Sequence, residues 1–175
     1  MDIEHLRNTF DAKSVSRWVT KEEIDTLISR IKEYNPFRVF ESGTANGYSS
    51  TYISTAGFTV HTFDPANRKK VWLGMPKEVT DRIDFHNTSF TEAAEFIDPI
   101  RQSPLYYFVD GDHSPKGVKA DFETIKPYLK PTDRVMFHDF PGEHMMTKYI
   151  KRAIVPLAVS YTKFATRNGM IELTF

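Results

Sequence analysis

The sequence predicts a doubly wound α/β domain whose sheet is mostly parallel and closes with a C-terminal β-hairpin. Short apolar segments alternate with helical segments five times along the chain, a pattern typical of parallel sheets covered by helices on both faces. The last segment reads as two strands around an Arg167-Asn168-Gly169 turn, which predicts a hairpin and a reversed final strand. The 175 residues suit one domain, taken as 1–175 with residues 1–20 as an N-terminal extension.

An opening helix over residues 21–34 is predicted from its cap and its periodicity. Thr20 can cap the helix with Glu23 three residues later, and Asn35-Pro36 stops it. The apolar residues that fall on one helical face are Ile24, Leu27, Ile28 and Ile31. Further helices are expected over 48–56, 91–98, 116–129 and 143–154.

Five strands are expected before the hairpin, over 37–41, 58–64, 83–87, 105–110 and 134–139. The fourth, L-Y-Y-F-V-D, is continuously apolar up to its last residue, as a buried parallel strand should be. The least regular stretch, residues 65–82, is the best candidate for a loop or lid.

Composition narrows the class of protein. The 23 basic and 23 acidic residues cancel, so no overall positive field favours nucleic acid as a partner. Cysteine is absent, which excludes disulfides and thiol chemistry. The N-terminus has no apolar run, and no stretch approaches the length of a membrane span. We therefore expect a soluble, cytoplasmic protein without a membrane partner.

A glycine-containing turn follows the first predicted strand. Between Phe40 and Ser50 the chain reads F-E-S-G-T-A-N-G-Y-S-S, and a second strand ends on Asp64. Glycine lets the backbone turn sharply, and the following helix directs its amide groups at a carboxylate. An acid at the end of the second strand can accept hydrogen bonds from ribose hydroxyls. The G-x-x-x-G spacing does not match the G-x-G-x-x-G dinucleotide fingerprint.

The turn resembles the first motif of class I S-adenosylmethionine-dependent methyltransferases, and in particular the E-x-G-x-x-x-G-Y-S stretch of small O-methyltransferases. The resemblance implies a Rossmann-like, seven-stranded sheet, S-adenosylmethionine as the cofactor and methyl transfer to a small-molecule acceptor, with oxygen preferred. It implies that Glu41 orders the turn near the methionine amino group and that Asp64 holds the ribose. The other residues implied at the cofactor's amino-acid end are Gly43, Thr44, Gly47 and Ser49.

Residues 87–90 (N-T-S-F) occupy the place where the family usually carries a Gly-Asp/Asn-Ala/Ser stretch beside adenine. The glycine is missing here. Ser89 is therefore a candidate for the adenine side of the cofactor. It is equally a candidate for an ordinary helix N-cap, with Glu92 completing a capping box.

The most specific passage is the D-G-D-H-S turn at 110–114, together with His138-Asp139 after the fifth strand. In metal-dependent O-methyltransferases, the equivalent acids hold a divalent cation that lowers the pKa of the substrate hydroxyl. The resemblance implies Asp110, His138 and Asp139 as ligands of Mg or Mn, and Asp110 as a residue beside the cofactor. His138 stands where the family carries a carboxylate, so either a transition metal is preferred or the metal has been lost.

Without a metal, His113 or His138 is the candidate general base in a catalytic group that includes Asp110 and Asp139. Other functions stay open. The chain could bind the cofactor as a non-catalytic module or scaffold subunit, or it could carry hydrolase- or hydroxylase-type chemistry on the same fold. Self-association into a homo-oligomer is also open.

Overall fold

The computed structural model describes residues 19–100, 104–140 and 145–175. Almost all of the predicted extension, residues 1–20, therefore lies outside the described residues. The predicted opening helix is confirmed as α1, Lys21–Tyr34. Its capping box is present in both directions, because Glu23 N donates to Thr20 Oγ1 and Thr20 N donates to Glu23 Oε2. Asn35 ends the helix in the left-handed conformation, with φ of 53°.

Seven strands form one sheet within the described residues, in the order β3-β2-β1-β4-β5-β7-β6. The strands are β1 Arg38–Ser42, β2 Val60–Phe63, β3 Ile83–His86, β4 Leu105–Val109, β5 Arg134–Phe137, β6 Ser160–Phe164 and β7 Met170–Thr174. The first five strands pair in parallel, whereas β7 is antiparallel to both β5 and β6. The predicted fold, including the C-terminal hairpin, is confirmed.

The other described helices are α2 Tyr48–Thr55, α3 Lys77–Thr80, α4 Ala94–Ile97, α5 Pro115–Ile125 and α6 Met145–Tyr149. Helix α2 agrees with its predicted bounds to within one residue, whereas α4 and α5 are shorter than the predicted helices at 91–98 and 116–129. The predicted loop at 65–82 contains a 3-10 turn, Lys69–Trp72, as well as α3. The chain after α5 tightens into a 3-10 turn at Lys126–Tyr128, where Pro127 has no amide hydrogen to continue the ladder. After α6 the chain continues as a π-helical turn, Ile150–Ile154.

The core has two layers, one on each face of the sheet. Alternate residues of the same strand enter different layers: Tyr106 packs with α1 and α2, while Tyr107 packs with α5 and the segment after α6. This arrangement is the doubly wound packing that the sequence predicts. Among the described helices, none combines the length and apolar character that crossing a bilayer would need.

A buried charge pair fixes α1 to the antiparallel end of the sheet. Glu172 on β7 is 3% exposed, and its carboxylate accepts hydrogen bonds from Arg30 Nη2 and from the Tyr106 hydroxyl, both at 2.6 Å. Because one partner without the other would be a buried uncompensated charge, the pair holds α1 in one position along β7.

Two histidines lie side by side on β2 and β3. His61 Nδ1 is 3.1 Å from His86 Nε2, and the His61 ring stacks on Phe40 at a centroid distance of 4.8 Å. Burial lowers the pKa of His61 from 6.5 to about 4, although Asp84 opposes the shift. The pair packs in its neutral form.

We predict that His61 makes the protein acid-sensitive. Its pKa is lower in the folded state, so the unfolded chain binds the extra proton, and stability is lost as the pH falls from 6.5 towards 4. The full effect is at most about 3 kcal/mol. The difference in unfolding free energy between His61→Phe and the wild type should therefore shift in favour of the variant as the pH falls from 7 to 5. Urea unfolding at each pH measures this difference. A difference in unfolding free energy that does not change with pH would contradict the account.

Candidate active site

The candidate site is a cleft at the carboxyl ends of the parallel strands, where the strand order reverses between β1 and β4. This crevice is where open α/β sheets bind ligands. Its volume is about 510 Å³, within the usual range for small-molecule sites. Residues that line it include Gly43, Asp64, Arg68, Ser89, Phe90, Asp110 and His113.

The turn between β1 and α2 requires its glycines. Gly43 has φ of +89°, and a Cβ atom there would collide with the backbone carbonyl of Asp110. Gly47 has φ of +69°, and a Cβ atom there would come within 2.7 Å of Val71. Gly43 therefore lines the cleft, whereas Gly47 lets the 3-10 turn that ends at Trp72 pack against α2. No side chain caps α2 at Gly47, which leaves its first amide groups for a ligand.

Glu41 lies beneath this turn and is fully buried. Its carboxyl group accepts hydrogen bonds from the hydroxyls of Ser49 and Thr62, and Thr44 Oγ1 lies 2.7 Å from Thr62 Oγ1. Burial raises the pKa of Glu41 from 4.5 to about 8, and the two hydroxyl bonds offset only part of this shift. Glu41 thus joins β1 to α2 and β2 and is not among the residues that line the cleft, and its role near the methionine amino group stays a prediction. Thr44 and Ser49 line a small recess beside Asp110.

Asp64 follows β2 and faces the cleft. Its Oδ1 accepts from the amide of Ala66 at 2.8 Å, and its Oδ2 accepts from the amide of Ala45 at 3.0 Å. Oδ2 also accepts from Arg68 Nε at 3.1 Å. The carboxylate therefore joins the glycine turn to the loop that follows β2.

Ser89 and Phe90 form the opposite wall. The Ser89 hydroxyl accepts a hydrogen bond from the Thr91 amide at 3.3 Å and caps the 3-10 turn Phe90–Glu92. Ser89 also lines the cleft. Its two predicted roles are therefore compatible in this position, and the role in adenine binding stays a prediction.

Asp110, His113 and Asp139 form a compact acid–imidazole cluster, with potential ligand atoms within 4.8 Å of one another. His113 Nδ1 directly contacts Asp139 Oδ2, and His113 Nε2 lies 3.6 Å from Asp110 Oδ1. Asp139 has φ of 51°, a left-handed conformation that aspartate tolerates better than most residues. The hydrogen bond with Asp139 raises the pKa of His113 despite its partial burial.

His138 lies below this cluster and is 2% exposed. Its Nδ1 is 2.9 Å from Asp110 Oδ1 and 3.3 Å from Asp139 Oδ1, while its Nε2 is 3.2 Å from Glu23 Oε2. Burial opposes a charge on the ring, but Asp110 and Glu23 outweigh it and raise the pKa of His138 from 6.5 to about 10.

Carboxylate oxygens lie close to both ring nitrogens of His138, so neither nitrogen faces the cleft. The predicted roles of His138 as a ligand with Asp110 and Asp139, or as the general base, stay predictions. The structure brings His113 into the equivalent place between Asp110 and Asp139.

Glu23 is the residue that the sequence did not connect with the site. It is fully buried, and its Oε1 accepts from the Asn168 amide at 2.6 Å. Burial opposes its ionisation, but hydrogen bonds from His138, Thr20 and Asn168 lower its pKa from 4.5 to about 2. In the sequence, Glu23 takes part only in the predicted capping box, and a capping box predicts nothing about partners more than 100 residues away.

A second recess, of about 480 Å³, lies beyond His113 and Asp139. Its other lining residues are Ser114, Pro115, Met145, Met146 and Asn168. His113 lines both this recess and the first cleft. Asp110 lines the first cleft and Asp139 lines this recess, so the acid–imidazole cluster lies between the two cavities.

A family model described as a methyltransferase domain matches residues 40–140. This span is more than half of the chain, and the chain belongs to that methyltransferase family. No curated protein sequence matches the chain significantly.

Solved structures of methyltransferases share the fold. An O-methyltransferase from Bacillus cereus in complex with SAH is 14% identical, with a TM-score of 0.74 over 100% of this chain and 92% of that one. TomG from Streptomyces achromogenes, an O-methyltransferase involved in tomaymycin synthesis and solved with SAM, is 16% identical, with a TM-score of 0.70 over 89% and 81%. A methyltransferase from Geobacter sulfurreducens is 14% identical, with a TM-score of 0.68 over 93% and 84%.

We predict that Glu41 makes the protein less stable at alkaline pH. Its folded-state pKa is raised, so the folded state binds more protons between pH 4.5 and 8, and stability falls as the pH rises through that range. The variant Glu41→Gln keeps partners for both hydroxyls and removes this cost. Relative to the wild type, its free energy of unfolding should increase by up to about 4 kcal/mol as the pH rises from 5 to 8.5. Urea unfolding at each pH measures the difference. The exposed-site variant Glu78→Gln is the control, and an equal pH response in both variants would refute the role of burial.

Proposed function

We propose that this protein is an S-adenosylmethionine-dependent O-methyltransferase that acts on a small-molecule acceptor. The observation that carries the proposal is the position of the acid–imidazole cluster between two cavities: Asp110 lines the first cleft, Asp139 lines the second recess and His113 lines both. A methyl donor in the first cleft and an acceptor in the second would meet at this cluster. Membership of the methyltransferase family supports the same reaction.

The cleft has the features that an adenosyl amino acid requires. The carboxylate of Asp64 stands at one end to accept hydrogen bonds from ribose hydroxyls. Phe63 and Phe90 offer apolar surface for a purine ring next to Ser89. The first residues of α2 line the small recess beside Asp110, where their uncapped amides would offer donors to a carboxylate. When bound, S-adenosylmethionine supplies an activated methyl group on a sulfonium.

The residues at the junction would prepare the acceptor hydroxyl. Asp110, His113 and Asp139 would hold a divalent cation, Mg or Mn, which lowers the pKa of an oxygen bound to it. Two carboxylates and one imidazole suit Mn better than Mg, because Mg prefers oxygen ligands alone. Asn168 and Ser114 line the second recess, and Met145 and Met146 would contact the apolar part of the acceptor.

We predict that Asp64→Asn weakens the binding of S-adenosylhomocysteine by about tenfold or more, because hydrogen bonds to a charged acceptor are worth about 1.5–3 kcal/mol. Isothermal titration calorimetry measures the effect. The exposed-site variant Asp81→Asn removes an aspartate that pairs with Lys77 on α3 and should bind like the wild type. Unchanged affinity in Asp64→Asn would contradict the ribose role, and no binding by the wild type would overturn the proposed function.

We predict that excess Mn²⁺ raises the melting temperature of the wild type by roughly 2–5 °C, because a ligand that binds only the folded state stabilises it. Asp139→Asn removes a charged ligand and should lose most of that increase, whereas Asp81→Asn should retain it. Differential scanning fluorimetry with and without EDTA measures the shift. Equal shifts in the wild type and in Asp139→Asn would refute this cation site.

A further inference from the structure

Arg68 forms a hydrogen bond to the carboxylate of Asp64, the group that the proposed function assigns to the cofactor ribose. Its Nε donates to Asp64 Oδ2 at 3.1 Å, and its side chain lines the cleft while remaining 38% exposed. We infer that Arg68 sets cofactor affinity by competing with the ribose for Asp64. This inference rests on the proposed function, because it concerns the cofactor of that same cleft.

The hydrogen-bonding capacity of Asp64 supports the inference. A carboxylate offers about four lone-pair positions. Three are occupied, by the amides of Ala66 and Ala45 and by Arg68. One position therefore remains, whereas the adjacent hydroxyls of a ribose present two donors. A ribose that donates both hydroxyls to Asp64 must displace one existing donor.

Arg68 is the donor that can leave at least cost. The amide of Ala45 belongs to the glycine turn, where Ala45 itself has φ of 45°, and the amide of Ala66 belongs to the backbone just after Asp64. Moving either amide would require the backbone to rearrange. The Arg68 side chain is partly exposed and can turn into solvent, where its guanidinium is hydrated.

The position of Arg68 in the chain fits this role. Arg68 directly precedes the 3-10 turn Lys69–Trp72. Trp72 holds this turn against α2, because its Nε1 donates to Thr51 Oγ1 at 3.1 Å. The backbone that carries Arg68 is thereby anchored next to the cleft, and the change on ligand binding is confined to a side chain.

Substitution of Arg68 tests the inference by calorimetry with S-adenosylhomocysteine. Removal of a partly exposed ion pair that competes with the ligand should tighten binding by about two- to fivefold. Arg68→Ala should show this gain. Lys70→Ala, which removes a positive charge from the same loop without a contact to Asp64, should not.

A double-mutant cycle separates competition at Asp64 from other effects. In the Asp64→Asn background, Arg68→Ala should leave affinity nearly unchanged, because the competition has already been removed. Weaker or unchanged binding in Arg68→Ala alone, or an equal gain in Lys70→Ala, would overturn the competitive role. These outcomes leave the proposed function intact as long as the wild type binds. Failure of the wild type to bind S-adenosylhomocysteine would instead overturn the proposed function together with this inference.

Discussion

The buried charge chain of Glu23, His138 and Asp110 is the interaction on which the chemical end of the sheet depends. His138 lies 3.2 Å from Glu23 and 2.9 Å from Asp110, with almost no exposure to solvent. The loss of one partner would leave a buried charge uncompensated, which typically costs about 3–5 kcal/mol. These three residues join α1 to the loops after β4 and β5. Through Asn168 they also hold the turn between β6 and β7.

The contacts among Glu23, His138 and Asp110 explain why two histidines that follow neighbouring strands differ in their burial. His138 is fixed below the rim and balances the negative charge of the acids above it. His113 is 45% exposed and lies between Asp110 and Asp139 at the junction of the two cavities. His113 is therefore open to the cavities, whereas His138 is enclosed by Glu23 and two aspartates. Glu41 is likewise fully buried, beneath the glycine turn.

Much of the fold could be predicted because its signals are local. The capping box at Thr20 and Glu23, the apolar strands and the Asn168-Gly169 turn each specify an element within a few residues. The positions of Asp64 and Asp110 at the cleft, and of Asp139 near Asp110, also followed, because the carboxyl ends of parallel strands share one edge. The burial of His138 and the exposure of His113 could not be predicted, because they depend on the contact of α1 with His138. Nor could the contact of Glu23 with His138, since 114 residues separate them and no periodic pattern links them.

The most direct test of the account is a crystal structure with S-adenosylhomocysteine and Mn²⁺. The account predicts that the ribose hydroxyls bind Asp64 and that the ion binds Asp110, His113 and Asp139. His138 should remain between Glu23 and Asp110, and Arg68 should have turned away from Asp64. Density for the nucleoside outside the cleft between β1 and β4, or an ion bound by His138, would contradict the account.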